Sequence, residues 1–325
     1  MRNDTGRIVA GTVAIAAILP YLTLKTLWMT GNPVGVHEPD LMAGSEMTGL
    51  NAMTLGLDLV ALVLAVGFTF GWGRRLPAWL VLLPLWVGTG LLVPIVVGLP
   101  VTLALDGPGA FATGPLESWV YVVVYGGFTV QGLALGASLV IYARDRWPAV
   151  FAGRYGGAVP ALMTLIARGA LGLCAVIGGV RLYWALGGTA GLDPAMAAGL
   201  SLSGAVQQAF TALLTIAGGV AFLALVRGAR RVPYLFVAWL GTGSLFAWGL
   251  YSLILLAVGG PLRPEGVETA VPSLVDLFST LTGLVMGVAG AVELVSGGRV
   301  VQPAQDPLEG DDRDRDRATA DQGHH

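Results

Sequence analysis

Apolar residues along this chain gather into eight long runs, and the charged residues collect between the runs. Each run can cross the hydrocarbon core of a bilayer, which takes about 20 apolar residues in a helix. The pattern therefore predicts an all-α membrane protein with eight transmembrane helices. The predicted spans are residues 8–28, 51–72, 77–105, 118–142, 161–184, 204–226, 234–258 and 272–295.

Arginine is abundant in every second loop and scarce in the loops between. The arginine-rich segments carry Arg2, Arg7, Arg74, Arg75, Arg144, Arg146, Arg154, Arg227, Arg230 and Arg231. Short basic loops stay in the cytoplasm. The distribution therefore predicts that both termini are cytoplasmic. Lys25 is the only lysine, a bias typical of GC-rich bacterial genomes, which favours a bacterial plasma membrane.

The two halves of the chain share motifs in the same order, which indicates an internal repeat. The matched pairs are Lys25-x-x-Trp28-x-x-Gly31-x-x-x-Gly35 with Arg181-x-x-Trp184-x-x-Gly187-x-x-x-Gly191, Arg74-Arg75-Leu76-Pro77 with Arg230-Arg231-Val232-Pro233, and Trp86-Val-Gly-Thr-Gly90 with Trp239-Leu-Gly-Thr-Gly243. Four helices per repeat is an even number, so the repeats enter the membrane in the same direction. We predict two tandem parallel repeats, residues 1–150 and 151–298, followed by a disordered charged cytoplasmic tail, residues 299–325.

Composition supports a membrane protein and removes several classes of function. Hydrophobic residues make up 55% of the chain and charged residues 12%, whereas a soluble domain is about a quarter charged. The single cysteine, Cys174, permits no disulfide framework. The sequence contains no metal-binding, phosphate-binding or nucleophile motif, so we expect no metal, no cofactor, no nucleic-acid partner and no enzymatic activity.

Lys25 and Arg181 are the most informative residues, because each is a basic residue one turn before the outer end of a helix. Two interpretations stay open. Each side chain could extend to the outer headgroups beside an interfacial tryptophan, Trp28 or Trp184. Alternatively, the two cations could face the bundle interior and bind an anionic lipid headgroup or solute between the repeats.

Two acidic residues are candidate partners for these cations. Asp58 lies in the second span, about 10 Å below the outer surface at 1.5 Å per residue, where an unpaired charge is costly. Cβ atoms lean toward a helix's N-terminus, so Lys25 on an outgoing helix can meet Asp58 on an incoming one. The same reasoning pairs Arg181 with Asp276. The Lys25–Asp58 pair is either a structural clamp or part of a site that water reaches.

The stretch Tyr183-Trp184-Ala185-Leu186-Gly187-Gly188 resembles the motif of a family of small bacterial four-helix membrane proteins with no assigned function. That motif reads His-x-Tyr-Trp-Ala-x-Gly-Gly, and Arg181 or Lys25 takes the place of its histidine. The resemblance implies a tandem duplication of such a unit. It implies nothing about activity, and the permanent cations argue against a proton-linked role for that position.

The sequence thus leaves three functional hypotheses. The first is a non-enzymatic membrane protein with an outward-facing anion site at Lys25, Trp28, Asp58, Arg181, Trp184 and Asp276. The second is a small-solute transporter with its site between the repeats, in which the third span moves because Pro84, Pro94 and Pro100 kink or break it. The third, an intramembrane enzyme, would need a polar group such as Thr54 beside Asp58. Membrane lipids are the expected partners; protein partners are not indicated.

Overall fold

The computed structural model describes residues 2–42, 44–70, 72–112, 114–151, 161–199, 201–229, 232–259 and 270–299. Most of the predicted loop arginines lie within these ranges, whereas Arg154, Arg230 and Arg231 lie outside them. The predicted tail, residues 299–325, lies outside the described residues except for Arg299.

Eight long helices make up the described part of the chain, and each is long and apolar enough to span a membrane. They are α1 (Arg2–Met29), α2 (Ser45–Phe70), α3 (Ala78–Leu105), α4 (Ser118–Arg146), α5 (Ala161–Ala185), α6 (Leu202–Val226), α7 (Val232–Val258) and α8 (Ala270–Arg299). This confirms the predicted all-α multi-pass membrane architecture. We call the ends that carry Lys25 and Arg181 the outer ends, following the sequence prediction.

Several helices extend beyond the apolar runs that predicted them. The largest differences are at α1 and α2, which begin at Arg2 and Ser45 although the predicted spans begin at residues 8 and 51. The first turn of α2 holds Glu46, and an acidic residue there is favourable because the helix N-terminus carries partial positive charge. Hydropathy alone therefore did not predict the first turn of α2, which is polar but favourable for helix formation.

The third span, predicted to be kinked or broken, is not broken, since α3 is continuous although it contains Pro84, Pro94 and Pro100. A proline removes the hydrogen bond to the carbonyl four residues earlier, so Pro94 leaves the carbonyl of Gly90 without its helical donor. Two side chains from other helices bind neighbouring carbonyls of α3 and fasten it to them. Gln207 Nε2 donates to the carbonyl of Pro94 at 3.0 Å, and Trp248 Nε1 donates to the carbonyl of Leu91 at 3.1 Å.

The helices form two groups, which we call the first unit (α1–α4) and the second unit (α5–α8). In the first unit α1 packs against α2 and α4, and α4 packs against α3; α2 and α3 touch only sparsely. In the second unit α6 packs against α5 and α7, and α7 packs against α8. The units meet chiefly where α3 contacts α7 and α6.

The contact between α3 and α7, called the seam below, is reciprocal. Trp86 Nε1 on α3 donates to Thr242 Oγ1 at 3.0 Å, and Trp239 Nε1 on α7 donates to Thr89 Oγ1 at 3.0 Å. At its centre the backbones touch, because a Cβ added to Gly90 would lie 2.2 Å from the carbonyl carbon of Gly243. Each motif makes the contact that its counterpart makes, as in an isologous two-fold interface.

Apolar packing differs between the units. The buried residues of the second unit form one cluster that includes Cys174, Trp184, Phe222, Leu245 and Met286. Those of the first unit divide into three clusters, at the end opposite the outer end, in the middle and at the outer end. The outer part of α2 contributes no buried residue to these clusters, and it carries Asp58.

The outer loops of the first unit are fastened to each other. Val36 and Leu116 form an isolated antiparallel β-bridge. His37 Nε2 lies 3.3 Å from Glu117 Oε1, and His37 Nδ1 lies 3.0 Å from the carbonyl of Gly114. The Gly114 carbonyl, and secondarily the negative charge of Glu117, raise the pKa of His37, because both favour the imidazolium form.

Candidate functional site

The two basic residues sit in locally equivalent surroundings at the outer ends of α1 and α5. Trp28 Nε1 donates to the carbonyl of Val34 at 2.9 Å, and Trp184 Nε1 donates to the carbonyl of Ala190 at 3.0 Å. Both turns pass through glycines with positive φ, at Gly31, Gly35, Gly187 and Gly191, a conformation that other residues rarely adopt. Each tryptophan thus fixes the turn that follows its helix.

This geometry corrects the interpretation of Trp28 and Trp184 as interfacial anchors. Their exposed fractions are 7% and 4%, so neither indole lies among headgroups. The indole N–H groups bind loop carbonyls inside the protein, which satisfies their single donor. The basic side chains beside them also turn inward, so the interpretation in which they extend to the outer headgroups does not describe the structure.

Lys25 is buried, with 6% of its surface exposed. Its Nζ donates to Asn51 Oδ1 on α2 at 2.6 Å. The same atom lies 5.0 Å from the ring centroid of Tyr21 and 5.3 Å from that of Trp28, within the range of cation–π attraction. The ammonium group is thus held by a neutral amide and two aromatic rings.

The predicted direct pair between Lys25 and Asp58 is not formed. Among the described residues, no carboxylate oxygen lies within 4.0 Å of Lys25 Nζ. Asp58 interacts with Lys25 only electrostatically. The reason is that α2 places Asn51 opposite Lys25, whereas Asp58 lies two turns deeper on the same helix face.

Asp58 is 5% exposed, and its Oδ2 has no hydrogen-bond partner among the described residues. Thr54, the residue one turn away, directs its hydroxyl to the carbonyls of Leu50 at 3.0 Å and Asn51 at 3.2 Å. Thr54 therefore does not supply the polar partner that a catalytic role for Asp58 would need.

Tyrosines from three helices surround this region. Tyr21 on α1 packs edge-on against Phe128 with ring centroids 4.9 Å apart, and Tyr125 on α4 packs against Phe128 at 6.4 Å. Tyr251, from α7 of the second unit, is close enough to interact electrostatically with Tyr21 and Tyr125. The Lys25 region thus lies where the first unit meets the second.

The predicted pairing of Arg181 with Asp276 is confirmed. Arg181 Nη2 lies 2.8 Å from Asp276 Oδ1, and Arg181 Nη1 donates to Gln208 Oε1 at 3.2 Å. One arginine therefore links α5 to α6 and α8, and its charge is balanced.

Lys25 and Arg181 are not brought together into one site. Each is bound by residues of its own unit, so the predicted anion site shared between the two cations is not formed. The residues that the sequence argument missed are Asn51, Tyr21 and Tyr251. Asn51 was detectable, because Asn51, Thr54 and Asp58 follow a spacing of three and four that places them on one helix face.

No group of three or more metal-binding side chains occurs in the described ranges. No family model matches the chain, and no characterised protein or solved structure is similar to it. The relationship to small four-helix membrane proteins stays a prediction. Function therefore has to be argued from the geometry of the two basic centres.

Proposed function

We propose that this chain is a non-enzymatic, multi-pass protein of a bacterial plasma membrane that binds an anionic group at Lys25, in the outer half of the bundle. One observation carries the proposal. Lys25 is 6% exposed, and its ammonium group is hydrogen-bonded to a neutral amide oxygen, with no carboxylate of the described residues within 4.0 Å.

A buried charge without a close counter-charge is costly. In a membrane interior it costs several kcal/mol unless it is paired or solvated. Lysine has three N–H donors, and the structure assigns one of them a partner, Asn51 Oδ1. The rings of Tyr21 and Trp28 attract the cation but carry no net charge. A carboxylate or phosphate at Lys25 would supply the missing charge.

Arg181, which the sequence places in the same role, is better explained as a structural link. Its guanidinium is balanced by Asp276 at 2.8 Å and holds Gln208 as well. A guanidinium binds a carboxylate and an amide at once because its donors lie in a rigid fork. We therefore assign anion binding to the first unit and helix fastening to the second.

The test compares thermal unfolding midpoints of the purified full chain with inorganic phosphate, with phosphatidylglycerol in mixed micelles, and with phosphatidylcholine as control. Wild type and Arg181→Gln should both be stabilised by an anionic probe, and Lys25→Gln should lose that shift. Stabilisation by phosphate as well as phosphatidylglycerol indicates a soluble ligand; stabilisation by phosphatidylglycerol alone indicates a headgroup. An equal shift in wild type and Lys25→Gln would refute the proposal.

A second candidate, a small-solute transporter with its site between the units, has one supporting observation. Tyr251 on α7 interacts electrostatically with Tyr21 and Tyr125 in the first unit, so the Lys25 region lies near both units. Against this, the seam at Gly90 and Gly243 is in backbone contact, and rocking of one unit on the other would have to break it. Uptake of a solute into vesicles that contain the purified chain would favour the transporter.

We further infer that the units are parallel repeats with both termini in the cytoplasm. The equivalent Trp28 and Trp184 turns and the reciprocal seam support the repeat, and the arginine-rich loops support the orientation. Single cysteines placed at Asp193 and at Arg144 in a Cys174→Ala background test the orientation. An impermeant thiol reagent added to intact cells should label the first position and not the second; the reverse labelling would overturn the orientation.

A further inference from the structure

The carboxylate of Asp58 has an oxygen atom without a partner in the described part of the chain. Its Oδ2 is buried and makes no hydrogen bond with any described residue, although a carboxylate can accept several. Leaving a buried acceptor without a donor costs about 1–3 kcal/mol, and more for a charged group. A vacant acceptor in a region that also holds a cation without a carboxylate in contact with it points to a ligand that donates hydrogen bonds.

The face of α2 that carries Asp58 is otherwise satisfied. Asn51 Oδ1 accepts from Lys25 at 2.6 Å, and the Thr54 hydroxyl donates to the carbonyl of Leu50 at 3.0 Å. Moving inward along this face, the third polar residue is Asp58, whose Oδ2 has no donor among the described residues. Lys25 and Asp58 interact electrostatically without an ion-pair contact.

Charge balance decides which ligand suits this pair. Lys25 and Asp58 sum to zero net charge. A simple anion bound between them would leave one net negative charge in a medium of low dielectric constant, where charges interact strongly. A zwitterion keeps the sum at zero and offers a partner to each residue.

The aromatic surroundings favour a positively charged group near Asp58. Tyr21, Tyr125 and Phe128 form a connected set of ring contacts, with centroids 4.9 Å and 6.4 Å apart. Tyr251 adds a further ring from α7. Aromatic faces attract ammonium groups, and they add no negative charge to the site.

We propose that the site binds a small amino-acid-like zwitterion, with its anionic group on Lys25 and its ammonium group on Asp58 Oδ2. This proposal rests on the proposed function, since it takes Lys25 as the anion-binding residue. It adds the ligand class and a second binding residue, Asp58, whose Oδ2 has no partner among the described residues.

The experiment measures binding of glycine and of acetate to the purified full chain by isothermal titration calorimetry and by thermal unfolding. Acetate is the matched probe, because it keeps the carboxylate and lacks the ammonium group. Wild type should bind glycine at least about tenfold more tightly than acetate, a difference of 1.4 kcal/mol. Asp58→Asn, which keeps the side-chain shape, should bind acetate as tightly as glycine or more tightly.

The outcomes separate the two proposals. If wild type binds acetate as tightly as glycine and Lys25→Gln binds neither, the anion site stands and the zwitterion assignment is wrong. If neither probe binds wild type, the zwitterion assignment is wrong, whereas the anion site is decided by the comparison of phosphate with phosphatidylglycerol. If Lys25→Gln binds both probes as wild type does, both proposals fail. The comparison of glycine with acetate on wild type needs no variant. It therefore tests the zwitterion assignment even if Asp58→Asn does not fold.

Discussion

The same position in the two units carries the same kind of residue and meets opposite surroundings. Lys25 and Arg181 both lie one turn before a helix end, three residues before a tryptophan that fixes the next turn. Arg181 meets a carboxylate at 2.8 Å, whereas Lys25 meets an amide oxygen at 2.6 Å. Burial of a cation therefore does not by itself define its role. The role depends on whether the group placed opposite the cation carries a negative charge.

A second difference concerns the edge between the first and last helix of each unit. In the first unit α1 and α4 pack closely, and Tyr21 contacts Phe128 across that edge. In the second unit α5 and α8 diverge and leave an apolar groove of about 290 Å³, lined by residues that include Val176, Val180, Val271 and Phe278. The second unit, in which Arg181 is paired with Asp276, therefore has a groove at this edge. The first unit, in which Lys25 meets a neutral amide, is closed at the same edge by the packing of α1 against α4.

The largest expected effect comes from breaking the balanced pair. Arg181→Met leaves Asp276 without its counter-charge, so we expect a loss of about 3 kcal/mol in the free energy of unfolding. The double variant Arg181→Met/Asp276→Leu should recover most of that loss. The free energy of unfolding of Arg181→Lys should lie between those of wild type and Arg181→Met. Denaturant unfolding of the purified chain measures all three. A double variant no more stable than Arg181→Met would show that the ion pair is not what the substitution breaks.

The next effect tests the seam that joins the units. Gly90→Ala places a Cβ 2.2 Å from the backbone of Gly243, so α3 and α7 must separate, at a cost of about 2 kcal/mol. Gly136→Ala on α4 is the matched control, because no atom lies within 4 Å of its added Cβ; it should stabilise by about 0.5 kcal/mol. Equal effects of the two substitutions on thermal stability would mean that the seam is not close-packed.

A smaller effect tests the reciprocity of the seam. Trp86→Phe and Trp239→Phe each remove one indole donor, to Thr242 and Thr89 respectively, and each should cost about 1 kcal/mol in the free energy of unfolding. Because the two bonds are equivalent, the losses should be similar, as denaturant titration can show. A large loss for one variant with none for the other would contradict a two-fold related interface.

The smallest effect is local and depends on pH. Because the folded pKa of His37 is raised, the contact with Glu117 contributes fully below the unfolded value of about 6.5. It is lost as pH rises through the folded pKa. NMR titration of His37 should give a pKa above 6.5, and Glu117→Gln should lower it. A pKa that Glu117→Gln leaves unchanged would show that the two side chains do not interact in solution.

The fold was largely predictable because lipid imposes a simple rule on the sequence. Apolar runs of membrane length gave all eight helices, and the arrangement of Arg181 with Asp276 followed from the directions of their helices. The contacts that fasten α3 to α6 and α7 were not predictable, because the donors Gln207 and Trp248 lie far away in sequence. The repeated Trp-x-Gly-Thr-Gly motif was visible, but only the structure reveals that its two copies contact each other.

The site was less predictable, because several polar residues compete for one cation. Asp58 was the obvious partner of Lys25 by charge. However, Asn51 is the residue of α2 that lies beside the Lys25 ammonium group along the helix axis. Helix spacing could place Asn51, Thr54 and Asp58 on one face. It could not fix the relative heights of α1 and α2, which depend on packing along their whole length.

The central claim is that a missing counter-charge makes Lys25 a binding residue, and Asn51→Asp tests it most directly. This substitution places a carboxylate where Lys25 now meets an amide, which makes the first unit resemble the second. The measurement is the thermal unfolding midpoint with and without the anionic probe that stabilises wild type. We predict that Asn51→Asp raises the midpoint without the probe and abolishes the shift that the probe causes. A variant that keeps the wild-type shift would contradict the claim.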